Sequence, residues 1–294
     1  MNPPYPIAIP PLLPEFLQRR RSKMTFPLEK TEELGIDRAT FIWVLNLSYR
    51  GDRGAGGEPG DLMSVYATIP DRWLPMAAAA RGAGLAEERG GRWYLTNNGR
   101  QLARAMHDAA RAHYGSLSPI PKNELAELAR LLDRAFRAGV KASEPRVRLH
   151  TPFALGYRGD DPPDGSFAQL DAAVFGLWQV RDDCHITAWQ GARLNGPEVE
   201  LLTRVWRDEA ADEDELVGLL PHQRAEDVRA GLTDLRERGL IERGALRATL
   251  DGATTRQRIE DETDRLFFTP WPAEIAPKAE FIAESLAKVN AALV

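Results

Sequence analysis

Arg229, Thr233 and Arg236 are spaced to share one side of a helix, and Arg243 and Arg247 follow just beyond a glycine. Val228, Leu232 and Leu235 repeat at i, i+4 and i+7 and would turn inward, which puts the Arg229–Thr233–Arg236 set on the next face outward. A guanidinium on such a face can pair with the acceptor edge of guanine, and arginines on a following hairpin can hold phosphate. Arg72, Arg89 and Arg92 form a thinner set earlier in the chain, beside Arg81. These eight residues are the expected DNA contacts: Arg229, Thr233, Arg236, Arg243 and Arg247 as the chief ones, with Arg72, Arg89 and Arg92 assisting. Opposing them, residues 221–243 carry five arginines against five acids (Glu226, Asp227, Asp234, Glu237, Glu242), and 208–215 is an acidic run. Ordinary i, i+4 surface pairing, Asp234 with Arg238 for example, accounts for such interleaving equally well. A protein-interaction or ligand-sensing module that does not touch DNA therefore stands beside the DNA reading.

Other chemistries find less material. Arg181-Asp182-Asp183-Cys184-His185 is the densest polar run in an otherwise apolar stretch. Asp182 and His185 stand at i, i+3 and could share a metal ion, but two ligands are too few and no second pair occurs, so no metal site is expected. With Trp189 they are instead the candidates for lining a pocket that takes a small-molecule effector. The glycine-rich stretch 51–60 lacks the Lys-Ser or Lys-Thr of a phosphate-binding loop. There is no Gly-x-Ser-x-Gly, and Cys184 is the lone cysteine, with no activating neighbour in sight and no disulfide partner. No catalytic residue and no cofactor are expected; the pattern is that of a non-enzyme.

The elements that must position the arginines recur. Arg81, Gly84, Leu85, Arg92 and Leu95 match Arg236, Gly239, Leu240, Arg247 and Leu250 at one ungapped offset of 155. Each segment reads as a helix stopped by glycine, a short strand, a tight turn, a second strand and a Thr or Asp cap opening another helix. That is the wing of a winged helix-turn-helix. The expected fold is mainly α with small β-wings: tandem, duplicated winged helix-turn-helix domains joined by a long helix.

Residues 1–30, rich in proline and carrying Arg19-Arg20-Arg21-Ser22-Lys23, read as a disordered tail. Residues 31–140 are expected to hold the first winged helix, with Asp37 as an N-cap, a short helix at 61–69, a recognition helix opened by Pro70-Asp71, and Trp73 and Met76 on an exposed face. A packing helix with Leu125, Leu128, Leu131, Leu132 and Phe136 follows. Residues 141–194 form a linker and the long helix, whose Phe167, Leu170, Val174, Leu177, Trp178, Ile186 and Trp189 give about seven turns over 166–191; Val147-Arg148-Leu149 in that linker reads as a short strand. Residues 195–294 are the second winged helix and a terminal helix, with Pro197 in a first turn and Thr254 opening the helix after the wing.

Composition is that of a globular protein, with 43% hydrophobic and 28% charged residues and a net charge of -5. An acidic total is unusual for a DNA reader, although local fields matter more than the sum. No apolar run is long enough to cross a bilayer, and the opening residues lack a signal-peptide pattern, so a cytoplasmic location with no membrane partner is expected.

Leu95-Thr96-Asn97-Asn98-Gly99-Arg100 resembles the Leu-Thr-x-x-Gly-Arg that closes the wing in bacterial regulators of the MarR and PadR type. Residues 223–250 also resemble their recognition helix and wing. In the second half, His185-Ile186-Thr187-Ala188-Trp189, Gly196-Pro197-Glu198-Val199 and Glu260-Asp261-Glu262-Thr263-Asp264-Arg265-Leu266 with Pro270-Trp271 are similar to a poorly characterised actinobacterial winged-helix family. The resemblance implies the fold and a regulatory role on double-stranded DNA, and supplies no catalytic residue. A chain carrying two such units could meet two half-sites alone, so a monomer with an internal pseudo-dimer is expected, provided that Phe167, Trp178 and Trp189 are covered within the chain.

Overall fold

The structure, a computed structural model, describes residues 5–24, 28–50, 56–57, 64–69, 72–159 and 161–293. Helices α1 (Leu12–Arg19), α2 (Leu28–Glu33), α3 (Arg38–Arg50) and α4 (Leu74–Gly82) precede an antiparallel hairpin of β1 (Ala86–Arg89) and β2 (Arg92–Leu95). Then come α5 (Asn97–Ser116), α6 (Lys122–Lys141), α7 (Thr151–Arg158), α8 (Phe167–Gly191), α9 (Gly196–Trp206), α10 (Glu213–Leu219), α11 (Ala225–Glu237), α12 (Leu250–Phe268) and α13 (Ala279–Ala292). Among the described residues no helix is long and apolar enough to cross a membrane.

Two compact units result: Met1–Leu62 with Pro75–Asp183 and Asp264–Val294, and Met63–Leu74 with Cys184–Thr263. These differ from the expected boundaries at 140 and 195, because the C-terminal helix packs with the first half of the chain. Glu124 of α6 accepts hydrogen bonds from Ser285 (2.8 Å) and Lys288 (3.0 Å) of α13, and Lys278 reaches Glu127 at 2.9 Å. Leu125, Leu128, Leu131, Leu132 and Phe136 are all buried on α6, as its apolar stripe predicts. Each such side chain contributes about 1.5–3 kcal/mol.

Over residues 5–24 the opening segment is not a disordered tail. Leu13 and Phe16 bury one face of α1. The basic cluster then turns inward rather than toward phosphate. Arg20 pairs with Asp171 of α8 at 2.8 Å, both almost fully buried, and Arg21 donates to the hydroxyls of Tyr114 (2.7 Å) and Tyr157 (2.8 Å). Arg19 donates to the carbonyl of Asn290 on α13 at 3.0 Å. Carboxylate and phenol partners supplied from far along the chain offset the cost of burying these cations.

In the long helix, Phe167 and Trp189 are buried and Trp178 is half-buried. The strand expected at Val147-Arg148-Leu149 is not formed; those residues are irregular and lead into α7 at Thr151. The amides of Leu149, His150 and Thr151 and the Thr151 hydroxyl all donate to the buried Asp183 carboxylate, at 2.9, 2.7, 2.9 and 2.6 Å. A carboxylate from α8 thus satisfies donors at the opening turn of α7 that the helix itself leaves unpaired.

One set of bonds closes the helix–hairpin–helix junction in both units. Gly84 and Gly239 take positive φ (68° and 73°), and the next amides, Leu85 and Leu240, return to Ala80 and Leu235. Thr96 and Thr249 donate their amides to Leu85 and Leu240 (3.0 and 3.1 Å) and their hydroxyls to Gly84 and Gly239 (2.6 Å each). Their hydroxyl oxygens also accept from Gly99 and Gly252, capping α5 and α12. A Cβ on Gly99 or Gly252 would stand 2.0 Å from the carbonyl oxygen of Leu85 or Leu240, so only glycine allows the approach. Threonine and glycine therefore correspond at an offset of 153, and the ungapped offset of 155 fails beyond the first strand. Leu95, 2% exposed, matches Ala248 and not Leu250, which is 83% exposed. The first hairpin pairs four residues a side around Gly90 and Gly91, both at positive φ. The second is cut to a bridge between Ile241 and Ala248 and a bond from Glu242 N to Arg247 O, in place of the expected two-stranded wing over 240–250. Four residues, 243–246, link Glu242 to Arg247, where two, Gly90-Gly91, link Arg89 to Arg92 in the first hairpin.

Candidate nucleic-acid interface

In the second unit α9, α10 and α11 form a helix-turn-helix followed by the short hairpin. Asn195 and Glu198 make a reciprocal capping box that opens α9, with Pro197 in its first turn. Asp212 caps α10 by accepting from the Glu215 amide at 2.9 Å. Val228, Leu232 and Leu235 bury the inner face of α11, and Gly231 lets Leu201 of α9 come close. Arg229, Thr233 and Arg236 are left outward or half-outward, as the spacing predicts.

Each outward arginine of α11 already has a carboxylate. Arg229 pairs with Asp214 at 2.8 Å and Arg236 with Glu213 at 2.7 Å, both acids in the first turn of α10. Arg247 makes two 2.9 Å bonds to the carboxylate of Glu242, which holds that carboxyl below its usual range. The Thr233 hydroxyl donates back to the Arg229 carbonyl. Arg224 and Arg243 are exposed, and neither forms an ion pair among the described residues. Arg224 was not singled out from sequence, although its place as the residue before α11 marks it as an arginine at the helix mouth.

The expected helix over 61–69 is not formed at 64–69, which runs as an irregular strap within the second unit; residues 61–63 lie outside those described. Thr68 accepts the Arg224 amide at its hydroxyl (2.9 Å), and its own amide donates to His222 O (3.2 Å). The Val65 carbonyl lies over Gly196, where a Cβ would stand 2.0 Å from its oxygen. The strap thus supplies an acceptor at the N-terminus of α11, where orphan donors would otherwise meet solvent or a ligand.

Helix α4 begins at Leu74, with Pro75 in its first turn; Pro70 and Asp71 lie outside the described residues. Arg72, in the second unit, is exposed; Trp73, expected on an outer face, is buried, and Met76 is half-buried. Arg89 pairs with Glu87 and lies over the Tyr94 ring, while Arg92 donates to the Gly56 carbonyl at 3.1 Å. Gly57 pairs with Trp93 on the open side of β2, and Gly56 (φ 65°) leaves room that a Cβ would lose to Tyr94. Gly57, within the glycine-rich stretch, therefore bridges to the second strand of the wing, a role its composition did not announce.

The effector candidates are not gathered around one cavity. Asp182 and His185 fall in different units. Burial, with Asp183 nearby, pushes the Asp182 carboxyl up to about 7, against the pull of Arg181. His185 lies 3.2 Å from the Thr263 hydroxyl and 3.9 Å from Glu260, on a cavity of about 220 Å3 whose lining includes neither Asp182 nor Trp189. Arg256 crosses beside it, bound to Glu260 and to the Thr203 hydroxyl. Among the described residues no cluster of three or more His, Cys, Asp or Glu is placed to hold a metal.

The model of a helix-turn-helix family matches residues 93–294, a span that contains α9–α11 and the second hairpin complete. No curated protein and no solved structure gives a significant match.

Proposed function

The chain belongs to this helix-turn-helix family, and on that premise we propose that it is a cytoplasmic, DNA-binding transcriptional regulator of MarR-like character, without catalytic activity. The observation that carries the proposal is the helix-turn-helix of α10 and α11, whose outward face presents Arg224, Arg229, Thr233 and Arg236 next to Arg243 and Arg247 on the hairpin. Arg229 and Arg236 read base edges, and Arg224, Arg243 and Arg247 hold phosphate. In the first unit, Arg89 and Arg92 add phosphate contacts, and in the second unit the exposed Arg72 adds another.

The matching glycine and threonine bonds of the two junctions support a duplicated winged helix. The two copies within one chain supply both half-sites, so the protein acts as a monomer; the burial of Phe167 and Trp189 favours this, and the half-buried Trp178 does not. Mobility-shift assays on genomic fragments at two salt concentrations test the proposal. A retarded complex that weakens steeply with salt supports it, and no complex at low salt ends it.

A second function has its own support. Asp214, Glu213 and Glu242 already neutralise the three arginines placed to read DNA, and Thr68 already occupies the mouth of α11. A surface satisfied from within suits a protein-interaction or ligand-sensing module as well.

A further inference from the structure

A second group of arginines in the second unit lies at the C-terminal end of α11. A cavity of about 590 Å3 opens among the C-terminal ends of α8 and α11 and the middle of α12. Arg193, Arg238 and Arg258 all line it. Arg193 and Arg258 are exposed and have no acidic partner among the described residues; Arg258 makes one long bond, 3.3 Å, to the Thr255 hydroxyl. Arg238 is held loosely by Glu198 at 3.4 Å. Glu262 is the one acid among the lining residues, against three arginines. The floor is apolar, formed by the buried Leu240 and Ile259.

Three guanidinium groups around one cavity repel each other unless an anion lies between them. Arg193 and Arg238 each follow a helix C-terminus, where a cation is favoured in any case; Arg258, in the middle of α12, has no such reason to be there. Arg193 also adopts φ 59°, a conformation that glycine would take at less cost, so its side chain is placed here at the expense of some backbone strain.

We propose that this cavity binds a small metabolite bearing an oxyanion, phosphate or carboxylate, with Arg193, Arg238 and Arg258 as its three cationic contacts. Guanidinium forks match both oxyanions in bidentate geometry, and Leu240 and Ile259 accept an apolar body. Arg238 is the C-cap of α11 and Gly239 is its stop, so an occupant that draws Arg238 from Glu198 acts on the end of the helix assigned to DNA. That last coupling rests on the DNA proposal; the binding site does not.

The test is calorimetric titration of the full-length protein, without DNA, with inorganic phosphate and separately with citrate at constant ionic strength. Saturable binding at one site per chain to either anion is expected, and the anion that binds tells which oxyanion is preferred. Arg193→Gly suits the local backbone, and Arg258→Gln keeps the length of the side chain; each is expected to weaken binding at least tenfold while leaving the thermal transition in place. No saturable heat with either anion, or equal binding by wild type and both variants, would overturn the site. Because DNA is absent, either failure leaves the DNA proposal standing.

Discussion

Asp214, in the first turn of α10, holds the guanidinium of Arg229 on α11 at 2.8 Å, across the turn of the helix-turn-helix. Glu213 does the same for Arg236. DNA can use these arginines only by displacing the two acids, which lie close enough to phosphate to repel it. Asp214→Asn should therefore tighten DNA binding about fivefold at low salt, the equivalent of about 1 kcal/mol for one charge at close range in water. Fluorescence anisotropy with a bound fragment checks this; weaker binding by the variant would show that Asp214 positions Arg229 rather than masking it.

Gly99 and Gly252 each lie against a carbonyl oxygen, of Leu85 and Leu240, closer than any Cβ can be. Gly99→Ala and Gly252→Ala should each lower stability by about 1–3 kcal/mol, the usual cost of overpacking. Thermal melts followed by circular dichroism would measure it. If one variant melts like wild type, the two junctions are not the same device.

Much of this architecture was legible. The apolar period of α6 and α8, the Thr96 cap and the Pro197 first turn are local signals, and local signals survive in the fold. What was missed depends on partners distant in sequence. Arg20 and Arg21 look like a solvated basic arm until Asp171, Tyr114 and Tyr157 are brought to them. The start of α7 is fixed by Asp183, more than thirty residues on, so nothing near Thr151 announces it. The second wing misled for another reason: the ungapped match equated Arg92 with Arg247, whereas Thr-x-x-Gly, present at 96–99 and again at 249–252, carries the true register. For the interface, helical spacing placed Arg229, Thr233 and Arg236 outward, and the acidic run at 208–215 was visible beside them, but nothing in the spacing said that Glu213 and Asp214 of that run pair with Arg236 and Arg229, or that Thr68 reaches the Arg224 amide.

Asp183 accepts four hydrogen bonds and is fully buried. Asp183→Ala would leave those donors unsatisfied and should cost about 3 kcal/mol or more, since each orphaned buried donor costs about 1–3 kcal/mol. Urea denaturation should show a lowered midpoint. An unchanged midpoint would mean that α7 holds by packing alone.

Asp182 supplies a pH dependence of known sign. Its carboxyl, pushed up to about 7 by burial, keeps its proton in the folded chain where the unfolded chain has lost it. The folded state then binds more protons between about pH 4, the ordinary aspartate value, and pH 7, so stability falls as pH rises through that window. Asp182→Asn should remove this component, raising the melting temperature at pH 8 relative to wild type and leaving little difference at pH 4. A variant that follows the wild-type profile at every pH would exclude Asp182 as its source.

The salt dependence of DNA binding, compared between wild type and the double variant Arg224→Ala/Arg243→Ala, bears most directly on the central claim. These two cations are exposed and free of ion pairs among the described residues, beside α11 and on its hairpin, so they are the ones able to release counterions without first breaking an internal bond. Each phosphate contact contributes about 0.9 to the slope of log K against log salt. Wild type should bind a genomic fragment with a steep negative slope, and the double variant should bind more weakly with a slope shallower by about 1.8, two such contacts. A wild-type protein that binds no fragment at low salt, or a double variant with an unchanged slope, would contradict the assignment of this face to DNA.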